Sequence, residues 1–253
     1  LPVIARIALV TGAGRGIGTA VARRLSADGH RVALTARNEA ELRAVAASLP
    51  GESLVLPADL TEPGAADSLF DAVEAAWSPV EILVANAGSG TAAPLHRISD
   101  SEWSTTLALN LTAPFQCFRR AVPAMRSAGW GRLIAIASTA AKQGESHIAA
   151  YTAAKHGVLG LVRSAAAELA KTGVTVNAIC PAYVDTPMTD RTVAAVAART
   201  GRPEDEVRAQ LAAKQPIGRM ITPDEIADAV AFCVASAGFT GQGLNIDGGT
   251  VQS

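Results

Sequence analysis

Ile7-Ala-Leu-Val-Thr11 runs without a break into Gly12-Ala-Gly-Arg-Gly-Ile-Gly18. A short apolar run cut off by glycine has the length and composition of a buried strand. From about Ile17 to Ala27 the pattern changes, and Ile17, Val21 and Leu25 fall on one helical stripe. A strand, a glycine turn and a helix, in that order, collect backbone N–H groups at a helix start, where the dipole favours phosphate. Glycine permits both the tight turn and the close approach of a pyrophosphate. The G-x-G-x-x-G spacing is absent; Thr11, Gly12, Gly16 and Gly18 form T-G-x-x-x-G-x-G instead. A tight turn without a ligand stays open on these residues alone.

The same alternation continues outward. A second strand, Arg31 to Ala36, ends at Arg37 with no carboxylate before the next helix. At this place an acid suits the free ribose 2′-hydroxyl of NAD, whereas an arginine suits the 2′-phosphate of NADP. Arg15 can add a second positive charge, so NADP(H) is favoured and NAD(H) stays possible. Asn38 reads as an N-cap with Glu41 as its capping-box partner, in a helix ending near Leu49. A third strand over Ser53–Pro57 precedes Asp59 and Leu60; Asp59 either accepts from an adenine amino group or caps the turn that follows. A helix is expected over Thr61–Trp77, and a fourth strand, Glu81–Ala85, leads to Asn86-Ala-Gly88. Asn86 either faces a flat ligand or braces neighbouring strands.

One long helical region is expected over Ser101–Ala128, with Asn110 in an apolar stretch and Pro114 four residues on. Proline would free the Asn110 carbonyl from its helical bond, to hold a water or merely to mark a kink. Further strands are expected at Arg132–Ala137, Val174–Ile179 and Gly243–Ile246, and a helix over Ala149–Lys171. The Ala-rich segment 186–215 is either a flap over a cleft, with Tyr183, Met188 and Val193 along it, or a solvated insertion. Thr222-Pro-Asp-Glu225 is a helix start with N-cap, proline at the first position and a capping-box glutamate. No internal repeat or linker interrupts the alternation, so the 253 residues read as a single α/β, doubly wound domain.

Composition narrows the function. A net charge of −1 with interspersed signs argues against a nucleic-acid surface or a polybasic membrane patch. Cys117, Cys180 and Cys233 are far apart in apolar contexts, which suits reduced, buried thiols and a cytoplasmic location better than disulfides or a metal site. No apolar run approaches the ~20 residues of a membrane span, and the first residues lack a basic stretch followed by an apolar one and a cleavage site, so secretion is not expected, although the chain begins at Leu1 rather than Met.

Ser138, at the carboxyl end of the fifth strand, is followed by Tyr151 and Lys155 in an Ala-rich helical segment. Positions i and i+4 share a helix face. A tyrosine of pKa about 10 is a poor acid at neutral pH, and a neighbouring ammonium would lower that value. With Ser138 holding a carbonyl or hydroxyl oxygen that shares the tyrosine's proton, the trio has general acid–base geometry. By itself such a trio also arises by chance on a helix beside a turn serine.

Taken together, T-G-A-G-R-G-I-G, Asp59, A-N-A-G, Asn110, Ser138, Y-T-A-A-K (Tyr151 to Lys155) and P-A-Y-V-D-T-P resemble the short-chain dehydrogenase/reductase family over Thr11 to Gly249. The resemblance implies a Rossmann-type seven-stranded parallel sheet and hydride transfer between a nicotinamide and a carbonyl or alcohol carbon. It implies Tyr151 as the general acid and Ser138 as the group that orients the substrate oxygen. Lys155 would bind the nicotinamide ribose and depress the tyrosine pKa, and Asn110 would hold a relay water. Gly12, Arg15, Gly16, Ile17 and Gly18 would line the pyrophosphate site. Arg37, Asp59, Leu60, Asn86, Ala87 and Gly88 would surround the adenosine half, and Pro181, Val184 and Thr186 would border the nicotinamide. Ala140, Ile148, Tyr183 and Met188 are the substrate-side candidates, and a homotetramer is the implied assembly.

Two departures stand out: Ala85 in place of the first Asn of N-N-A-G, and Ala182 where Pro-Gly is usual. Ala36-Arg37, Lys142-Gln-Gly144 and Lys155-His-Gly157 are similar to aromatic-polyketide ketoreductases and 3-oxoacyl-thioester reductases, although Ser89-Gly-Thr-Ala92 replaces the Pro-Gly-Gly of the former. Lys214-Gln-Pro216 is similar to 3-hydroxybutyrate dehydrogenases, but Gly90 and Ala140 stand where that group carries its carboxylate-grasping Gln and His. His147 and His156 flank the tyrosine as packing or surface residues. The expectation is an NADP(H)-preferring reductase of a ketone such as a 3-oxoacyl thioester. The alternatives are an NAD-dependent catabolic alcohol dehydrogenase or a non-catalytic dinucleotide-binding protein.

Overall fold

The structure is a computed structural model and describes residues 4–252. Strands and helices alternate as β1 (Ile7–Thr11), α1 (Gly16–Ala27), β2 (Arg31–Thr35), α2 (Glu39–Ala46), β3 (Ser53–Val55), α3 (Ala65–Ala76) and β4 (Ile82–Ala85). The second half runs α4 (Asp100–Leu107), α5 (Ala113–Ala128), β5 (Gly131–Ile136), α6 (Ala149–Leu169), β6 (Val174–Pro181), α7 (Pro187–Thr200), α8 (Glu204–Ala213), α9 (Pro223–Ala235) and β7 (Gly243–Ile246). The seven strands form one parallel sheet in the order β3-β2-β1-β4-β5-β6-β7. The chain winds outward from β1 to β3, then returns across β1 to β4. That reversal opens a crevice beyond the carboxyl ends of β1 and β4, the usual ligand site in such a sheet.

Both faces of the sheet are covered, which is why the strands read as unbroken apolar runs. Leu9, Leu83, Leu133 and Val176 pack with Phe70, Phe118 and Val158 of α3, α5 and α6 on one face. Val10, Val84, Ile134 and Ile179 pack with Val21, Leu42 and Val230 of α1, α2 and α9 on the other. A third, smaller cluster of Val193, Val207 and Leu211 joins α7 to α8.

Several expected boundaries shift for physical reasons. The third helix starts at Ala65 rather than Thr61, because Thr61 is held in a turn by Asp59 and Gly64 adopts a left-handed φ of 76°. The region 101–128 is not one α-helix: α4 and α5 are separated by a π turn over Ala108–Thr112 that contains the buried Asn110. Asn38 caps α2 by accepting from the Glu41 N–H, but the Glu41 carboxylate turns instead toward the glycine loop, within 3.0 Å of where a Gly14 Cβ would lie. Full capping boxes form at Ser99/Glu102 and Thr222/Glu225.

The edge strand β7 depends on one buried amide. Asn177 of β6 donates to the Phe239 carbonyl at 2.7 Å and accepts from the Gln242 N–H at 3.2 Å. Each orphaned buried group costs about 1–3 kcal/mol. Asn177→Ala is therefore expected to lower the urea midpoint by an amount equivalent to about 2–4 kcal/mol; an unchanged midpoint would sink this account of β7.

Candidate active site

A cleft of about 500 Å³ lies over the crevice between β1 and β4. Its floor is nearly free of side chains because the backbone leaves no room for them. A Cβ on Gly18 would fall 2.2 Å from the Gly12 carbonyl oxygen, and one on Gly12 would fall 2.9 Å from the Ala87 Cα. Gly12 and Gly16 also hold left-handed φ values of 64° and 57°. The start of α1 has no side-chain cap and no acid in its first turn, so its N–H groups stay available to an anion. A polyanionic ligand with a thin backbone fits this cradle.

Asn86 fills the bracing role left open by its position. Its amide donates to the Thr11 and Gly12 carbonyls at 2.8 and 3.1 Å, and the Thr11 hydroxyl accepts from the N–H groups of Asn86 and Ala87. These bonds stitch the ends of β1 and β4 together under the cleft. Asp59 likewise works as a turn cap: its Oδ1 accepts from the Thr61 N–H and hydroxyl, bonds that hold its carboxyl below the ordinary aspartate range. Its Oδ2 lies 3.8 Å from Arg37, whose side chain is otherwise well exposed at the cleft mouth.

Most of the expected dinucleotide residues meet here: Gly12, Arg15, Gly16, Ile17, Arg37, Asp59, Leu60, Asn86, Ala87, Gly88 and Thr186 all line the cleft. Gly18 serves from behind, through its contact with Gly12. Pro181 and Val184 do not line it. Pro181 pairs with Ile246 at the end of β6, and Val184 is buried, its carbonyl accepting from the Thr186 and Thr189 hydroxyls. Met188 lines this cleft rather than a separate substrate pocket. Thr35, Asn38, Glu41, Thr105, Leu109 and Arg191 also line it; no spacing in the sequence announced them, since only the fold brings them together.

Ser138, Tyr151, Lys155 and Asn110 do not line this cleft; Asn110 and Lys155 adjoin it at Gly88. Ser138 follows β5 in extended backbone; its hydroxyl accepts from the Ala140 N–H at 3.1 Å and lies near enough to Tyr151 to act on its phenol. One turn further along α6, Lys155 donates to the Ile136 carbonyl at 2.8 Å, with Nζ 5.4 Å from the Tyr151 ring centre. Asn110 donates to the Ser89 and Thr106 carbonyls at 2.8 and 2.9 Å, while its buried Oδ1 has no protein partner. Gly88 sits between these groups; a Cβ there would lie 2.8 Å from Asn110 Oδ1 and 3.7 Å from Lys155 Nζ. Besides the Asn110 carbonyl, this leaves the side-chain Oδ1 free to accept from a water.

Burial governs the charges. It pushes Tyr151 up to about 12, only partly opposed by Ser138, and brings Lys155 down to about 8. Among the causes of the Tyr151 shift burial comes first and Lys155 does not figure.

A smaller pocket of about 210 Å³ lies beside Thr139, walled by Gln143, Gly144, Glu145, Tyr183, Lys214 and Gln215. The Tyr183 hydroxyl donates to Glu145 at 2.8 Å, and Lys214 approaches the same carboxylate oxygen at 3.4 Å. Ala140 is buried beneath this wall, and Ile148 is half-buried at the start of α6. Gly90 packs on the Tyr151 ring, where a Cβ would come within 3.1 Å. His156 bonds the Thr152 carbonyl of its own helix, and His147 is an exposed loop residue. Among the described residues no cluster of His, Cys, Asp and Glu could hold a metal, and no helix is long and apolar enough to cross a membrane.

The family model for short chain dehydrogenase matches residues 6–197, and the chain belongs to that family of NAD(P)-dependent oxidoreductases. The protein named as the ketoacyl reductase of the monensin polyketide synthase of Streptomyces virginiae is 38% identical over 251 residues, covering 96% of each chain. The 3-oxoacyl-[acyl-carrier-protein] reductase MabA of Mycobacterium tuberculosis is 38% identical, covering 98% of this chain and 94% of its own. Among solved structures, a variant of the actinorhodin polyketide ketoreductase with NADPH superposes with a TM-score of 0.94 at 37% identity and 97% coverage of both chains.

The lysine supplies a test of the site's electrostatics. Below about pH 8 Lys155 is charged in folded and unfolded chains alike, and the burial penalty is present in full. Between about 8 and 10.5 the folded chain has released the proton that the unfolded chain still binds, so stability rises with pH. Relative to Lys155→Met, wild-type stability is expected to gain roughly 3 kcal/mol across that window. A difference that stays flat in urea titrations at several pH values contradicts it.

Proposed function

We propose that the protein is an NADP(H)-preferring carbonyl reductase acting on a 3-oxoacyl thioester or a related polyketide ketone. The observation that carries this reading is that Asn110 and Lys155, the latter beside Tyr151 and Ser138, adjoin Gly88 of a glycine-floored cleft that also bears Arg37. The three named relatives, all ketoreductases by name and one solved with NADPH, support the same reading.

A bound reduced nicotinamide supplies the hydride. Tyr151, its proton held tightly by burial, donates that proton to the substrate oxygen as negative charge develops there. Ser138 accepts or donates at the same oxygen and fixes its position next to the tyrosine. Lys155 lies close enough to stabilise the phenolate left behind, and its bond to Ile136 sets its reach. Asn110 Oδ1 and Lys155 Nζ, on either side of Gly88, form a polar path by which the tyrosine regains a proton. The segment 186–215 acts as a flap over the substrate, with Tyr183 and the Glu145–Lys214 pair at its edge. The assembly is a homotetramer, to which the exposed Trp103 of α4 and Phe115 of α5 contribute apolar surface.

A second reading, an NAD-dependent alcohol dehydrogenase, has one observation in its favour: the Glu41 carboxylate lines the cleft near Gly14 and could accept from a ribose hydroxyl. Initial rates with acetoacetyl-CoA decide between them. NADPH oxidation well above NADH oxidation, with Arg37→Ala removing the difference, is the expected result; turnover confined to NADH overturns the preference. Tyr151→Phe is expected to lower kcat by about 10²–10⁴ while leaving NADPH binding intact. Unchanged turnover in that variant would end the proton-donor role.

A further inference from the structure

The cleft carries a cation that none of the roles above employs. Arg191 sits on α7 four residues after Pro187, on the same helix face, and lines the dinucleotide cleft together with Thr186, Pro187 and Met188. The start of α7 lies directly against the glycine loop: a Cβ on Gly16 would approach Thr186 Cγ2 to 3.2 Å. The Thr186 hydroxyl turns back to the Val184 carbonyl and leaves the start of α7 without a side-chain cap. Two helix starts, those of α1 and α7, therefore converge on the stretch of cleft next to Gly16.

The local charges leave Arg191 free for a ligand. Asp185 and Asp190, the acids nearest to it in sequence, both pair with Arg208 of α8. Among the described residues no carboxylate lies within 4.0 Å of Arg191. An unpaired guanidinium beside two uncapped helix starts matches a phosphate diester, to which arginine donates in a planar, paired fashion. We infer that Arg191 is a further cofactor-binding residue, which holds the dinucleotide's pyrophosphate from the α7 side, opposite the glycine loop. This rests on dinucleotide binding in the cleft but not on the preference for NADP(H). It also gives the segment 186–215 a reason to settle when cofactor binds, because α7 carries both Thr186 and this arginine.

Binding, rather than turnover, is the readout. Dissociation constants of wild type, Arg191→Ala, Arg191→Lys and Arg37→Ala are measured by cofactor fluorescence for NADPH and NADH and by calorimetry for ADP-ribose. Arg191→Ala is expected to weaken all three ligands by a common factor of about tenfold, the size of one charge-assisted pair, with partial recovery in Arg191→Lys and an unchanged Tm. Arg37→Ala is expected to weaken NADPH alone. Were Arg37→Ala to leave NADPH unaffected, the cofactor preference would fall while the role of Arg191 stood. Equal affinities in Arg191→Ala and wild type overturn the inference. A loss limited to NADPH overturns it too, by placing the guanidinium at the 2′-phosphate. So does unchanged cofactor binding with a raised KM for acetoacetyl-CoA, which would assign the arginine to a phosphate of the substrate.

Discussion

The near contact between Gly18 and the Gly12 carbonyl, where even a methyl group would fall at 2.2 Å, is the constraint on which the rest of the molecule depends. It lets α1 begin immediately behind β1, with its unbonded N–H groups aimed into the crevice that the strand order opens. Asn86 then locks the opposite lip by bonding the Thr11 and Gly12 carbonyls. The loop is thus not a flexible flap over a ligand but a rigid shelf, fixed before any ligand arrives. A shelf of this kind spends little ordering entropy on binding, and it explains why polar side chains there, Asn86 above all, serve backbone groups first.

The end proposed to react is built on a different principle. Lys155 is 4% exposed and Asn110 fully buried, yet neither is neutralised by a carboxylate. Each is instead held by main-chain carbonyls: Ile136 for the lysine, Ser89 and Thr106 for the asparagine. Carbonyl dipoles steady an ammonium without cancelling its charge, so its field stays available to a phenolate formed nearby. The π turn at Ala108–Thr112 belongs to the same design. Widening the helix by one residue carries the Asn110 side chain toward β4, where Gly88 leaves room for it.

How much of this could be read from residues alone follows from what each signal encodes. The strands of the sheet centre were legible because burial on both faces leaves uninterrupted apolar runs, and the α9 start was legible because a capping box is local. The π turn was not, because a shift from i→i+4 to i→i+5 bonding leaves no mark in composition; only the oddity of Asn110 in an apolar stretch hinted at it. The spacing of Glu41 fits a capping partner equally well, and the structure turns its carboxylate to the glycine loop instead. Val184 fails as a lining residue because the β6 extension rotates it inward, where it bridges to Ile221. Nothing in the sequence singles out Arg191. An exposed arginine on a helix is ordinary in sequence, and acquires meaning only when the fold sets it across from the glycine loop.

The segment proposed to cover the substrate has a small core of its own. The segment carrying α7 and α8 rests on its own small cluster of Val193, Val207 and Leu211, and is pinned at its base by Arg208 to Asp185 and Asp190. At its far edge Tyr183 and Lys214 make polar contacts with Glu145. Exposed ion pairs of this sort contribute little stability, so the segment can move without disturbing the sheet. The fold thereby separates two demands. A shelf fixed by backbone contacts forms the floor of the cleft, while a wall latched by the polar contacts of Glu145, Tyr183 and Lys214 would, on the proposed function, face the ketone.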